Sequence, residues 1–401
     1  MVAAVTYYRA VGSIPKKRHY QMRNDEGGLF KEELMGVEGF SSDSSLLYHR
    51  YSPSAILAAS EVSDSPERTT LTPNSPLIPR HFLTHQVNAG GDLVQGRRIL
   101  AGNADVVISY VTADQSSPCY RNATGDELIY IEHGTVELES VFGRLVASSG
   151  DYVVVPMSTT HRWVVISGSV GALVFEARGH IRPPRRYLSD YGQFLEHAPF
   201  SERDLRVVEG PLVVEGEDVP VLVRHSKGVT QYTYKHHPFD VVGWDGCLYP
   251  YAFSIHDFEP IVKRTHMPPP VHQTFEGPNF VVCSFCPRPF DFDPEAVPVP
   301  YYHANVDSDE AIFWVSTDPM SKKYGGIEPG SFTLHPGGFV HGPQPGRTEM
   351  AIGKPRTDEL FVMMDTFRPL NLGAAGLSVE DEDYAWTWAK GEDAIEAAVQ
   401  S

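Results

Sequence analysis

No apolar run in this chain of 401 residues approaches the roughly 20 that a membrane-crossing helix needs. Positive charge is also scarce: 33 Lys and Arg stand against 51 Asp and Glu, a formal net charge of −18. A phosphate backbone needs a basic face, so nucleic-acid binding is not expected. Docking on anionic lipid is disfavoured for the same reason. Cysteine is scarcer still. Cys119, Cys247, Cys283 and Cys286 are too few and too scattered for a disulfide scaffold. Cys283 and Cys286 form a lone C-x-x-C, without the second pair a zinc site needs or the βαβ setting of a redox site. Met1 to Lys17 holds no apolar core followed by a small-residue cleavage site. These absences predict a reduced, cytoplasmic protein.

Helical periodicity is sparse too; Leu188 to His197 and Asp381 to Val399 are the best stretches. What the chain does have is punctuation, with 34 Gly and 32 Pro spread throughout and short apolar runs between them. That is the pattern of an all-β protein. Val106–Val111, Glu127–Ile131, Tyr152–Val155, Val164–Phe175, Pro211–Val223, Phe280–Phe285, Ile312–Val315 and Leu360–Met364 read as strands, being rich in Val, Ile, Phe and Tyr. Ser60 to Pro79 reads as a surface loop and the charged Glu202 to Asp218 as a crossing between domains. Pro287 to Pro300, with five prolines, reads as an extended strap.

Two segments of the sequence match each other. One runs Gly125-Asp126-Glu127-Leu128-Ile129-Tyr130, then Gly150 to Pro156, then His161. The other runs Ser308-Asp309-Glu310-Ala311-Ile312-Phe313, then Gly330 to Pro336, then His341. In both, the Gly precedes its Pro by six residues and its His by eleven. The Glu-to-His separation is 34 in the first and 31 in the second, a difference one hairpin loop absorbs. The arrangement resembles the cupin pattern and implies a bicupin: an all-β fold of two small double-sheet (jelly-roll) barrels with few helices. The division expected is an N-terminal domain over 1–235, holding a degenerate barrel at about 91–180, and a C-terminal barrel domain over 236–401.

Only the second copy has a full set of metal ligands. His303 lies seven residues before Glu310, whereas the first copy has Asn122 five before Glu127 and no His from Cys119 to Asp126. Asn is a poor ligand for a transition metal, so Glu127 and His161 are expected to be a buried polar pair or surface residues. Two imidazoles and a carboxylate at His303, Glu310 and His341 form the triad of non-haem Fe(II) oxygenases; zinc accepts the same set. Neighbours on a strand face opposite ways, so Asp309 competes with Glu310 for the carboxylate role, and Glu310 is preferred. His335 either supports a ligand or substrate through a hydrogen bond or simply packs near the barrel mouth.

The stretch Pro300-Tyr301-Tyr302-His303-x-Asn305, then Glu310, then His341-Gly342-Pro343, resembles the metal-site signature of homogentisate 1,2-dioxygenases. Tyr8 to Gly12, Pro238 to Trp244 and Tyr384-Ala385-Trp386 are similar to that family too, in order along the chain. The resemblance implies an Fe(II) enzyme of tyrosine and phenylalanine catabolism that opens homogentisate with O2 to maleylacetoacetate. It carries the metal onto His303, Glu310 and His341. It implies a catalytic acid–base histidine upstream of them, for which His272 is preferred over His266, and a substrate-binding or supporting role for His335, Tyr302 and Asn305. The family's Gly-Trp-His-Gly is Trp244-Asp245-Gly246 here, and its Gly-x-Tyr after the glutamate strand is Ser316 to Met320. The alternatives are therefore another 2,5-dihydroxyaromatic such as gentisate or a substituted hydroquinone, or a non-oxidative bicupin acting as an isomerase or binding protein. A substrate carboxylate needs a local cation; Arg288, Lys263 and Arg264 lie in the right region but read as surface charges. A small aromatic substrate, O2 and a homo-oligomeric state complete the expectation.

Overall fold

The computed structural model describes residues 7–62, 70–87, 90–317 and 326–400, in two compact units. The first comprises 1–66, 89–97 and 111–257, the second 67–88, 98–110 and 258–401. The first unit therefore reaches past residue 235, because Val241–Gly246 pairs with Arg9–Gly12 and Ser44–His49, and Tyr251–Ser254 pairs with Asp151–Val155 and Leu205–Val207. No described helix is long and apolar enough to cross a membrane.

In the first unit, Glu127–His133 runs antiparallel between Asp151–Val155 and Val170–Ala177. A second sheet places Gly143–Ser148, Thr135–Ser140, His161–Val165, Cys119–Asn122, Glu217–His225, Gly228–His236 and Ile56–Val62 side by side in that order. Alternate residues of both sheets, among them Ile129, Ile131, Val153, Val155, Leu138, Trp163 and Val221, turn into one apolar core. In the second unit the sheet order is Gln273–Gly277, Phe280–Phe285, Leu360–Thr366, Asp309–Ser316, Ser331–His335 and Arg80–Leu83. Cys283, Phe285, Ile312, Phe361 and Met363 form an apolar cluster on this sheet.

The strands expected at Val106, Glu127, Tyr152, Phe280, Ile312 and Leu360 are present, most of them longer at one end. Five expectations need correction. Leu188 to His197 is no helix: a bridge from Leu188 to Phe194 closes it as a turn. Val164 to Phe175 is two strands, His161–Val165 and Val170–Ala177, because Gly168 and its serine neighbours form a turn. The strand expected from Pro211 begins only at Glu217. Glu202 to Asp218 stays within the first unit, and the expected Ser60–Pro79 loop overlaps strands Ile56–Val62 and Thr72–Pro73. The tail helix is present over Thr387–Gln400.

The repeat is visible in register. Glu127 faces Val155 on one neighbouring strand and Glu176 on the other; Glu310 faces His335 and Asp365 in the same way. The repeat glycines Gly150 and Gly330 both have left-handed backbone, φ +91° and +82°, which a residue with a Cβ adopts only with strain.

Candidate metal centre and cavity

Two short strands, His303–Ala304 and Val340–His341, pair so that His303 stands directly across from His341, with ring centroids 4.3 Å apart. Glu310 enters from the adjoining sheet. Its Oε1 lies 3.2 Å from His341 Nε2 and its Oε2 lies 3.7 Å from His303 Nε2. One ligand atom from each of the three falls within 4.8 Å of the others, the one such group of His, Cys, Asp and Glu among the described residues.

The tautomers are fixed by the backbone. His303 Nδ1 is 3.1 Å from the Tyr301 carbonyl and His341 Nδ1 is 3.2 Å from the Phe339 carbonyl. A carbonyl only accepts, so each Nδ1 carries the proton and each Nε2 presents a lone pair inward. His341 Nε2 is buried with no hydrogen-bond partner. An unpartnered imidazole lone pair beside a second imidazole and a carboxylate is what a divalent transition metal would satisfy, so the residues fit such an ion.

Behind the triad, His335 Nδ1 donates to Glu310 Oε1 at 2.8 Å, and the Tyr384 hydroxyl donates to His335 Nε2 at 2.8 Å. His335 thus orients the carboxylate. The histidine partners hold the Glu310 carboxyl well below the usual range in spite of its burial. Asp365, across the strand from Glu310, goes the other way: burial and then the Glu310 charge push it up to about 7. Asp309 points elsewhere and accepts hydrogen bonds from the Gly337 and Leu370 amides at 2.8 and 2.7 Å. Its counterpart Asp126 does the same for Met157 and Ile181 at 2.7 and 2.8 Å.

The triad opens into a cavity of about 190 Å³ whose apolar walls include Phe285, Ile312, Trp314, Phe361 and Met363. His266 and Arg288 also line it, as does Arg347, which is paired with Glu359 at 2.6 Å. Of the two candidate acid–base histidines, His266 lines the cavity and His272 does not. His272 ends a short 3-10 turn, is buried, and stacks on Phe285 at 4.1 Å, away from the cavity lining. Burial pushes its pKa down to about 3. Tyr302 and Asn305 do not line the cavity either. Tyr302 is exposed and packs on Gly342, where a Cβ would come within 2.9 Å of it, and the Asn305 carbonyl accepts from the Gly338 amide. Arg264 and Lys263 are exposed, as expected, whereas Arg288 is drawn in. Asp245 is held in the first unit by Arg18 at 2.9 Å, and the segment from Asp318 lies outside the described residues.

In the first unit a guanidinium occupies the matching position. The Arg97 guanidinium contacts both oxygens of Glu127, at 2.9 and 2.8 Å, and Glu176 at 3.0 Å. Tyr120 and Asn122 also donate to Glu127. The buried polar pair expected at Glu127 and His161 is therefore a larger cluster. Nothing in the sequence marks Arg97, 30 residues upstream, as its centre. Cys283 and Cys286 are buried free thiols.

A profile of the homogentisate 1,2-dioxygenase N-terminal region matches residues 44–255. The chain is 36% identical over 391 residues to a candidate dioxygenase of Saccharolobus solfataricus, covering 96% of this chain and 99% of that protein. It is 25% identical over 277 residues to the homogentisate 1,2-dioxygenase of Emericella nidulans, covering 63% of this chain and 59% of that one. It is 29% identical over 289 residues to the Caenorhabditis elegans enzyme, 67% and 63% of the two chains. The matches thus take in less than two thirds of either homogentisate enzyme. Among solved structures, a cupin 2 conserved barrel domain protein from Leptotrichia buccalis covers 73% of this chain at TM-score 0.33 and 8% identity, too slight a likeness to carry an argument.

Proposed function

The chain belongs to the homogentisate 1,2-dioxygenase family and is an oxygenase enzyme; on that premise we propose that it opens the ring of a 2,5-dihydroxyaromatic with O2, using Fe(II) held by His303, Glu310 and His341. Homogentisate, converted to maleylacetoacetate, is the substrate proposed first. The observation that carries the reading is the inward convergence of two Nδ1-protonated imidazoles and one carboxylate within 4.8 Å at the end of an apolar cavity.

Fe(II), when bound, supplies Lewis acidity and a redox-active centre with positions left open by three protein ligands. The chain supplies the rest. Phe285, Trp314 and Phe361 wall the cavity with aromatic faces, which orient a ring and exclude bulk water. His266 is the proton acceptor. Its Nδ1 faces Asp291 at 4.0 Å, which leaves Nε2 for a phenolic hydroxyl. Burial holds its pKa below the ordinary histidine value, so it is neutral, and able to take a proton, near pH 7. His335 and Tyr384 hold the Glu310 carboxylate in one orientation throughout. A cytoplasmic location and a homo-oligomeric state belong to the same proposal.

The test is oxygen uptake by protein loaded anaerobically with Fe(II), against homogentisate, gentisate and substituted hydroquinones. Uptake with homogentisate supports the first substrate, and uptake only with a relative moves the assignment to that compound. Zinc or no metal in the purified protein, with no uptake gained on adding Fe(II), overturns the oxidative reading in favour of a binding protein or isomerase.

A further inference from the structure

The cavity holds two guanidinium groups in different electrostatic states. Arg347 is neutralised by Glu359 at 2.6 Å. Arg288, on the short strand Arg288–Pro289, has no such partner: among the described residues no carboxylate oxygen lies within 4.0 Å of it. Its Nη1 donates to the Cys286 carbonyl at 3.2 Å, and its guanidinium lies over the Phe285 ring, 5.5 Å from the centroid. Among the described residues, that leaves most of its five N–H donors without a protein acceptor. Burial pushes its pKa down, against the milder pull of the more distant Glu359 and Asp291. Lys263 and Arg264, the neighbouring cations in sequence, are exposed, and Arg264 is paired with Asp293.

A sheltered cation without a counterion is costly unless something neutralises it. Arg288 lines the cavity that also carries His303, Glu310 and His341, as well as a smaller one beside His272 and Asp291. We propose that Arg288 is the specificity-determining residue of this site, binding a carboxylate on the substrate's ring or short side chain through the paired N–H groups of its guanidinium. The inference rests on the ring-cleavage reading for the identity of the ring, and deepens it by naming the side chain that selects a charged ring over a neutral one. The geometry of the anchor is set by its neighbours. Phe285 supports the face of the guanidinium and the Cys286 carbonyl holds one of its edges, so the remaining fork is fixed for a planar, two-oxygen acceptor. A cavity of about 190 Å³ suits a single substituted ring. Neutral hydroquinones of the same size would leave the charge uncompensated and bind less well.

The test uses two non-oxidisable probes of equal shape, phenylacetate and phenylacetamide, titrated anaerobically into the purified full chain. Trp314 and Trp388 line the cavity and give a fluorescence readout independent of turnover. The expected result is tighter binding of the anion than of the amide by ~10-fold or more, the scale of one charge-assisted contact. Arg288→Met should remove that preference by weakening phenylacetate alone, its unchanged affinity for the amide showing that the cavity is intact, and Arg288→Lys should restore part of it. Equal affinities in the unmodified protein, a preference that survives Arg288→Met, or loss of both probes together would overturn the proposal. The two readings fail separately. If the preference depends on Arg288 but no dihydroxyaromatic consumes O2, ring cleavage falls and the anion site stands. If O2 is consumed and the preference is absent, the reverse holds.

Discussion

Arg97 does for Glu127 what the metal would do for Glu310: it places positive charge against a buried carboxylate at the same register position of the repeat. The pairing is bidentate and both side chains are almost fully buried. A guanidinium there leaves no room or need for a second ion, so the protein should bind one metal per chain.

Replacing Arg97 by Met would leave Glu127 buried without its cation, while Glu176 keeps Arg224 at 3.6 Å. Uncompensated buried charge typically costs about 3–5 kcal/mol. Chemical denaturation of Arg97→Met should show a loss of that order, while metal content at the second site stays at that of the unmodified protein.

The two adjacent carboxylates Asp309 and Glu310 should separate cleanly. Glu310→Ala should take metal content to background and abolish oxygen uptake. Asp309→Asn should retain the metal and cost about 1–3 kcal/mol of stability, because Asp309 serves the Gly337 and Leu370 amides. His335→Phe, which frees the Glu310 carboxylate, should weaken metal binding by roughly 10–100-fold. Metal analysis and denaturation on the same samples check all three; metal lost from Asp309→Asn and kept in Glu310→Ala would reverse the ligand assignment.

His266 and His272 make opposite predictions. His266→Ala should lower the turnover rate without changing metal content, since it lines the cavity but does not join the triad. His272→Phe should leave turnover intact. It keeps the stack on Phe285 and gives up one hydrogen bond to the Ser284 backbone, for a stability cost of about 1 kcal/mol. Steady-state rates of the two variants, set beside their metal contents, decide between them.

His49 provides a pH test in the first unit. It is buried between Asp240 at 2.6 Å and Glu33 at 2.8 Å, and these partners overcome desolvation to raise its pKa to about 9. A raised folded-state pKa stabilises the protein fully below the unfolded value near ~6.5, and that contribution fades as pH rises through about 9. The stability gap between the unmodified protein and His49→Gln should therefore be largest below pH ~6.5, on the order of 3 kcal/mol, and shrink toward pH 9. A gap that widens with pH would contradict the assignment.

The repeat was legible because spacing records register. Glycine turns of left-handed backbone, a proline six residues on and a histidine eleven on are local facts, and they located Glu310 and His341 correctly relative to each other. His303 has no counterpart in the first copy and was legible only from its place seven residues before Glu310. What the sequence could not convey was anything that depends on long-range pairing. Arg97 reaches Glu127 only because the chain folds back. The choice between His266 and His272 depends on which side of the Pro269–His272 turn faces the cavity, and neither spacing nor residue type encodes that. Arg288 looked like a solvated charge because burial of an arginine in a proline-rich strap is decided by what packs around it. The false helix at Leu188 arose from apolar spacing that a turn also satisfies.

His161 retains, in the first unit, the latch seen on both imidazoles of the triad: its Nδ1 is 2.9 Å from the Thr159 carbonyl two residues back, and its Nε2 is buried without a partner. The loop thus aims an imidazole inward in the first unit as it does in the second, although Arg97 there already neutralises the carboxylate. Orientation here is a property of the loop, and occupancy a property of a few side chains, so the two can change independently. Building a second metal centre would then call for new donors near Arg97 and Asn122, with the architecture left untouched.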